Sequence, residues 1–372
     1  MNIWFEPDEI AFRDEVAEVL RPHREAKALF ADADPERVAA LHHALVERNW
    51  LAICWPKQFG GEGRPAAYEY ILWNEMAYIR GGRPPLGTGI IAKSIQRFGT
   101  GAQQHEWLPP IRRNEIRFCL GYSEPEAGSD LAGLTTTAVR NGDHYLVNGG
   151  KIWTSYAEFS DFIWLLCRTG APDSRGKGLS LLIVDRRAPG ITLRNDRHMD
   201  GHRFSQIFLE DVAVPVANRV GPENGAWQMM ARALADERHV QFAGARVWRD
   251  FDDAVAWLDR MGLSGDAFVQ HRLAELELGV MEAEALSLAV LADMAAGRDT
   301  AASAAANKIA HTDAIQSIAR FVMDVGGASA LVVDGPDGPE AMWRQTMIES
   351  IGGGASEIMK GIIARQDLGL TL

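Results

Sequence analysis

The spacing of apolar residues changes twice along this chain, and few folds accommodate such a change. From residue 7 to 118 apolar positions recur every three or four residues, as in Phe12, Val16, Val19 and Leu20, then Val38, Leu41, Leu45 and Val46. That is the period of helices with one buried face. Helices are also expected over Tyr68–Ala77 and Ile90–Phe98. Near residue 118 the period shortens. Residues 134–139 and 144–147 flank Asn141-Gly142, a hairpin signal, and residues 163–167, 179–184, 191–193 and 206–209 read as short strands between Gly, Pro and Asp. From about Gly225 helical spacing returns in Leu273, Leu276, Val280 and Ala283, and again in Ile315, Ile318, Val322 and Val325 up to Gly326-Gly327. Residues 334–340 read as a loop, and a last helix runs from Ser356 to Arg365. The expected organisation is α+β: an N-terminal α-helical domain over 1–118, a middle β domain over 119–222 and a C-terminal helical bundle over 223–372. At 372 residues and 47% hydrophobic, the chain can bury a core in each. No GxGxxG follows a strand, so a Rossmann domain is not expected.

Charge narrows the partners. Acidic residues outnumber basic ones by 50 to 38, net charge −12, without a Lys/Arg run, so neither nucleic acid nor an anionic membrane is expected as a partner. Cys54, Cys119 and Cys167 form no CxxC and have no His at metal-ligand spacing. They read as buried thiols in a reducing compartment, with no metal site. The N-terminus is acidic and has no signal-peptide core, and no apolar run reaches bilayer length, so a soluble cytoplasmic protein is expected.

Residues 121–133, Gly-Tyr-Ser-Glu-Pro-Glu-Ala-Gly-Ser-Asp-Leu-Ala-Gly, and the later Lys151-Ile152-Trp153-Thr154-Ser155 carry the chemistry. Ser123, Gly128 and Ser129 offer hydroxyls and open backbone N–H groups, suited to a planar heteroaromatic ring and to phosphate oxygens. Trp153 and Ser155, two apart on an expected strand, should face the same side as an aromatic wall beside a hydroxyl.

These two segments, with the α–β–α order over essentially the whole chain, resemble the acyl-CoA dehydrogenase flavoprotein family. The resemblance implies a β-barrel or sandwich middle domain, a C-terminal four-helix bundle, FAD as cofactor, an acyl-CoA substrate and electron-transfer flavoprotein as electron acceptor. It implies that Leu120, Tyr122, Ser123, Gly128, Ser129, Trp153, Thr154 and Ser155 border the flavin ring or the CoA arm. Gly326, Gly327, Ser356 and Glu357 fall at its adenosine end, and Ser129 and Arg238 on the substrate side.

Oxidation of a Cα–Cβ bond next to a thioester needs a desolvated carboxylate for the weakly acidic α-proton and donors for the developing enolate. In much of the family the carboxylate precedes a C-terminal Gly-Thr-Ser motif, and here that position falls on Gly353 in Ile351-Gly352-Gly353-Gly354-Ala355-Ser356. The isovaleryl- and long-chain-type branch instead carries the base on a helix just before an Arg, which corresponds to Glu237-Arg238. The resemblance therefore implies Glu237 as base and the Gly353 backbone N–H as a donor to the thioester carbonyl, with Asp236 and Glu349 as rival carboxylates. The glycines around 353 suggest room for a branched or bulky acyl group.

Two departures bear on assembly. The family's Arg that reaches the FAD pyrophosphate of a neighbouring subunit falls near Ala256, with Arg260 as a substitute, and a Gln near the adenine falls on Met323. The pattern is similar to bacterial members acting on steroid side chains or secondary metabolites, some of them heterotetramers. The chain is thus expected to be an acyl-CoA dehydrogenase in a homotetramer, a homodimer or a heterotetramer with a second such subunit. The alternatives are a non-catalytic or half-site partner subunit, and a same-fold flavin oxidase or monooxygenase.

Overall fold

The computed structural model describes residues 5–24, 35–235, 237–333 and 338–370. In chain order its helices are α1 (Pro7–Leu20), α2 (Pro35–Glu47), α3 (Ala66–Tyr78), α4 (Ala92–Phe98), α5 (Gly101–Arg112) and α6 (Ala226–Ala235). They continue as α7 (Arg238–Gln241), α8 (Gly244–Arg260), α9 (Ala267–Ala295), α10 (Ala301–Gly326), α11 (Pro339–Thr346) and α12 (Ser356–Gln366). Its strands are β1 (Phe118–Gly121), β2 (Thr137–Asn141), β3 (His144–Ser155), β4 (Phe162–Arg168), β5 (Leu179–Asp185), β6 (Ile191–Arg197), β7 (Arg203–Pro215) and β8 (Arg219–Val220).

Contacts divide the chain into two compact units. One comprises Met1–Cys54, Gly63–Pro84 and Arg238–Leu372; the other comprises Trp55–Glu62 and Pro85–Glu237. The first unit is helical. In α1, Glu6 and Glu9 form a capping box and Pro7 opens the first turn, while Phe12, Val16 and Leu20 line the buried face. They pack with Leu41 and Leu45 of α2 and with Ile71, Leu72 and Met76 of α3. A second core joins Val247 and Leu258 of α8, Leu276 and Val280 of α9, and Ile315, Ile318 and Val322 of α10. Arg80 donates to Asp250 (2.8 Å) and Asp253 (2.6 Å), so the end of α3 is tied to α8 by a buried cation.

The second unit is built on an eight-stranded sheet of order β6-β7-β3-β2-β4-β5-β8, with β1 parallel to β4. Alternation puts Tyr145, Val147, Ile163, Leu165, Leu182, Val184, Ile207 and Leu209 into one core. The hairpin expected at Asn141-Gly142 is present with its loop one residue later: Asn141 pairs with His144, so Gly142-Asp143 make the turn, with Gly142 at φ +68°. Helices α4, α5 and α6 belong to this unit.

Two expectations along the chain are corrected and one helix is added. The helix read from Ile90 starts as a π-turn over Gly87–Ile91, because Gly89 has non-helical angles (φ −88°, ψ −108°), and regular helix begins only at Ala92. Helix α5 was not anticipated, since Pro109 and Pro110 sit inside it; Thr100 and Gln103 form the capping box that signals its start. Of the loop read over 334–340, residues 334–337 lie outside the described residues and Pro339 already opens α11. No helix of the described residues is long and apolar enough to cross a membrane.

Candidate functional site

The two sequence segments meet through a buried ion pair. Lys151, on β3, donates its Nζ to Glu124 Oε1 (2.8 Å) and to the Tyr122 carbonyl (3.0 Å), and the Ile152 N–H donates to the Ser123 carbonyl (2.9 Å). Glu124 also accepts from the Thr135 N–H (2.6 Å), the Thr135 hydroxyl (2.8 Å) and the Thr136 N–H (2.9 Å). Lys151 is 2% and Glu124 5% exposed. Burial pushes the Glu124 carboxyl up, but the Lys151 charge and the hydrogen bonds outweigh it and hold the group at about 2. Burial pulls the Lys151 ammonium down against the opposing pull of Glu124. Neither residue was singled out in the sequence, although both lie inside the motif.

The sign of the acid response follows from Glu124. Its carboxyl is lowered in the fold from an ordinary 4.5 to about 2, so its stabilisation is complete above 4.5 and lost as pH falls toward 2. The stability difference between wild type and Glu124→Gln, measured by urea unfolding, is expected to shrink across that window. A difference independent of pH there would contradict the pairing.

The far end of the loop is held from β4. The buried Arg168 guanidinium donates to the carbonyls of Ala132 (2.8 Å) and Leu134 (3.0 Å) and to the Ser174 hydroxyl (3.0 Å) and Arg175 carbonyl (3.0 Å). Glu124 and Ala127 close the near end by exchanging backbone hydrogen bonds (3.0 and 3.1 Å). Leu120, Tyr122 and Ser123 are thereby half-buried on a fixed backbone, and Gly128 and Ser129 are exposed.

Trp153 and Ser155 are not placed by a regular strand. The β3–β7 register shifts between Lys151 and Thr154, and Trp153 takes φ +61° in that bulge. The outcome is that Trp153 and Ser155 are both exposed while Thr154 between them is buried. Trp153 is 55% exposed, stacked on His198 (centroids 5.5 Å apart) and packed against Phe204 (4.9 Å). An indole supported from one side yet open on the other is available to a flat ring. The Thr154 hydroxyl is buried with no hydrogen-bond partner among the described residues. An open aromatic face, the exposed Ser155 beside it and the half-buried Ser123 fit an isoalloxazine-type ring with hydrogen-bonding edges.

Glu237 belongs to the same unit as these residues. Contrary to the expected helical position, it lies in a turn between α6 and α7. Its rival Asp236 lies outside the described residues, and so does the side chain of Arg238, which opens α7 in the other unit. Glu237 is 6% exposed, and its carboxylate lies against the backbone of Gly89. Tyr122 senses it: burial first, then the Glu237 charge, raises the phenol well above its ordinary range.

Gly353, Gly326, Gly327, Ser356 and Glu357 belong to the helical unit. Gly326 ends α10 and Gly327 follows at φ +52°; Ser356 begins α12, with Glu357 exposed beside it. Ala256 and Arg260 are exposed on α8, and Met323 is half-buried on α10. Gly353 has φ +69°, and a Cβ there would stand 3.3 Å from Phe242 Cζ. A side chain at 353 is therefore strained by the backbone itself. Gly353→Ala is expected to lower stability by about 1–2 kcal/mol, the usual cost of a left-handed residue with a Cβ, as read by denaturant midpoint. Glu349 is buried among cations: Arg83 lies 3.4 Å away and Arg246 4.0 Å. Burial pushes its carboxyl up, but Arg83, Arg246 and His311 overcome this and hold it below the ordinary value. That is the reverse of what a base for a weak carbon acid requires.

Comparison with known proteins places this geometry in a family. Models described as the acyl-CoA dehydrogenase N-terminal, middle and C-terminal domains match residues 6–115, 119–212 and 224–368. The acyl-CoA dehydrogenase FadE26 of Mycobacterium tuberculosis is 36% identical over 341 residues, covering 87% of this chain and 85% of that protein. The crystal structure of the ChsE4-ChsE5 complex from Mycobacterium tuberculosis superposes with TM-score 0.87 at 32% identity, covering all of both chains. The Tcur3481-Tcur3483 steroid ACAD superposes with TM-score 0.87 at 29% identity, covering 99% of each.

Proposed function

The chain belongs to the acyl-CoA dehydrogenase family of flavoprotein oxidoreductases, and from that premise we propose that it binds FAD and converts an acyl-CoA thioester to its trans-2-enoyl product, with Glu237 as base. The observation that carries this reading is a carboxylate, buried to 6% exposure, in the same unit as the loop and strand that present Ser123, Trp153 and Ser155. Those residues hold the ring of the cofactor, with Leu120, Tyr122, Gly128, Ser129 and, by family resemblance, Thr154 beside them. Gly326, Gly327, Ser356 and Glu357 serve its adenosine end, by family resemblance. The flavin, when bound, accepts the β-hydrogen as hydride.

The protein's own part is proton removal and carbonyl polarisation. Glu237, shielded from water, takes the α-proton; the Gly353 N–H donates to the thioester oxygen as negative charge develops there. Ser129 and Arg238 act on the substrate side. The turn at Gly353 and Gly354 carries no side chain of its own, and Phe242 and Met359 pack close to it. The similarity to a steroid ACAD supports a bulky acyl group. Electron-transfer flavoprotein takes the electrons onward.

A second reading has its own support. Ala256 and Met323 stand where the family has an Arg and a Gln for FAD, and one of the similar structures is a two-protein complex, ChsE4-ChsE5. In this reading the chain completes a flavin site with a second acyl-CoA dehydrogenase-like subunit. Purified protein that is yellow and bleached anaerobically by an acyl-CoA supports the first reading. Colourless protein that gains flavin only on co-expression with a homologous subunit supports the second.

A further inference from the structure

We propose that Gly89 is the positioning residue that seats the Glu237 carboxylate, and that the π-turn around it exists to leave that seat open. The inference rests on the assignment of Glu237 as base. A Cβ built on Gly89 would overlap Glu237 Oε1, stand 2.7 Å from its Cδ and 3.5 Å from Oε2. No rotation of a methyl group relieves such an overlap, so the carboxylate itself must move. At residue 89 the backbone is what the carboxylate touches, and glycine alone leaves it there.

The turn is built rather than slack. Gly89 has φ −88° and ψ −108° inside Gly87–Ile91, away from any helical geometry. Its neighbours are satisfied individually. The Thr88 and Gly89 N–H groups donate to the Pro85 carbonyl (3.1 and 3.2 Å), and the Ile91 N–H donates to Leu86 (3.2 Å). The Trp55 indole N–H donates to the Thr88 carbonyl at 3.0 Å, with the ring buried. The Ser94 hydroxyl donates to the Ile90 carbonyl at 2.7 Å. A π-turn in a helix gives up regular hydrogen bonds and is retained mostly where a site needs the displaced backbone. Here the displaced residue is the one facing the carboxylate. Trp55 thus has a role in the turn: it holds the Thr88 carbonyl next to Gly89.

The test uses the purified, flavin-loaded protein, with its partner if one is needed for loading. In Gly89→Ala, flavin reduction by acyl-CoA is expected to slow by about 10²-fold, the effect of misplacing a reacting group by an ångström, with substrate KM changed much less. The pH profile of the reduction rate should also move, which loss of folded protein alone does not produce. The seat itself is read without activity. Gly89→Ala should lower the Tm of wild type, lower it less in Glu237→Asp, whose carboxylate ends one methylene earlier, and lower it least in Glu237→Ala. Equal Tm losses in all three backgrounds, or a wild-type rate and pH profile in Gly89→Ala, would overturn the proposal. A wild-type rate in Glu237→Gln alone would overturn the base assignment instead, while the Tm coupling between 89 and 237 would still report the seat.

Discussion

Glu237→Gln is expected to abolish most flavin reduction by acyl-CoA while leaving the protein folded and yellow. The substitution preserves size but removes the negative charge and the ability to accept the proton. Positioned general bases contribute about 10²–10⁴-fold, and the weak acidity of the α-carbon places this case at the upper end. Single-turnover absorbance of the oxidised flavin under anaerobic conditions reads the step directly. If the Gln variant bleaches at the wild-type rate, Glu237 is not the base. Glu349→Gln is the internal control: that carboxylate is 3.4 Å from Arg83 and held below its ordinary pKa, so its loss should show in stability before it shows in the chemistry.

Lys151→Met should be the most damaging substitution for stability. It leaves Glu124 charged, 5% exposed and without its cation. Breaking one side of a buried pair costs about 3–5 kcal/mol, whereas replacing both sides can be close to neutral. The double variant Glu124→Gln with Lys151→Met should therefore recover much of the loss in urea midpoint. If the two losses simply add, the pair is not coupled. Because Lys151 also holds the Tyr122 carbonyl, and Ile152 holds Ser123, the single variant should release flavin more readily than wild type.

The fold was largely legible because it is written in local periods. Phe12, Val16 and Leu20 at helical spacing, and Tyr145 and Val147 two apart, announce which face is buried before any partner is known. Local rules failed where backbone geometry departs from them. Trp153 sits in a bulge at positive φ that strand periodicity does not announce, although Trp153 and Ser155 do share the exposed side. The helix read from Ile90 begins inside a π-turn set by the non-helical Gly89. Pro109 and Pro110 argue against a helix from sequence, and the structure shows that α5 nonetheless starts at a Thr100–Gln103 capping box and runs through both.

For the candidate site, the sequence by itself determined the loop of 121–133 and its companion segment 151–155, and the family resemblance added three carboxylates competing for one role, Glu237, Asp236 and Glu349. The two segments follow from residue type and spacing along the chain. Tertiary structure decided what those residues meet. It put Glu124 on Lys151, surrounded Glu349 with Arg83 and Arg246, and laid Glu237 against the bare backbone of Gly89. The physical reason is that a carboxylate's chemistry is set by the charges, donors and solvent around it, and those neighbours come from segments far apart in sequence.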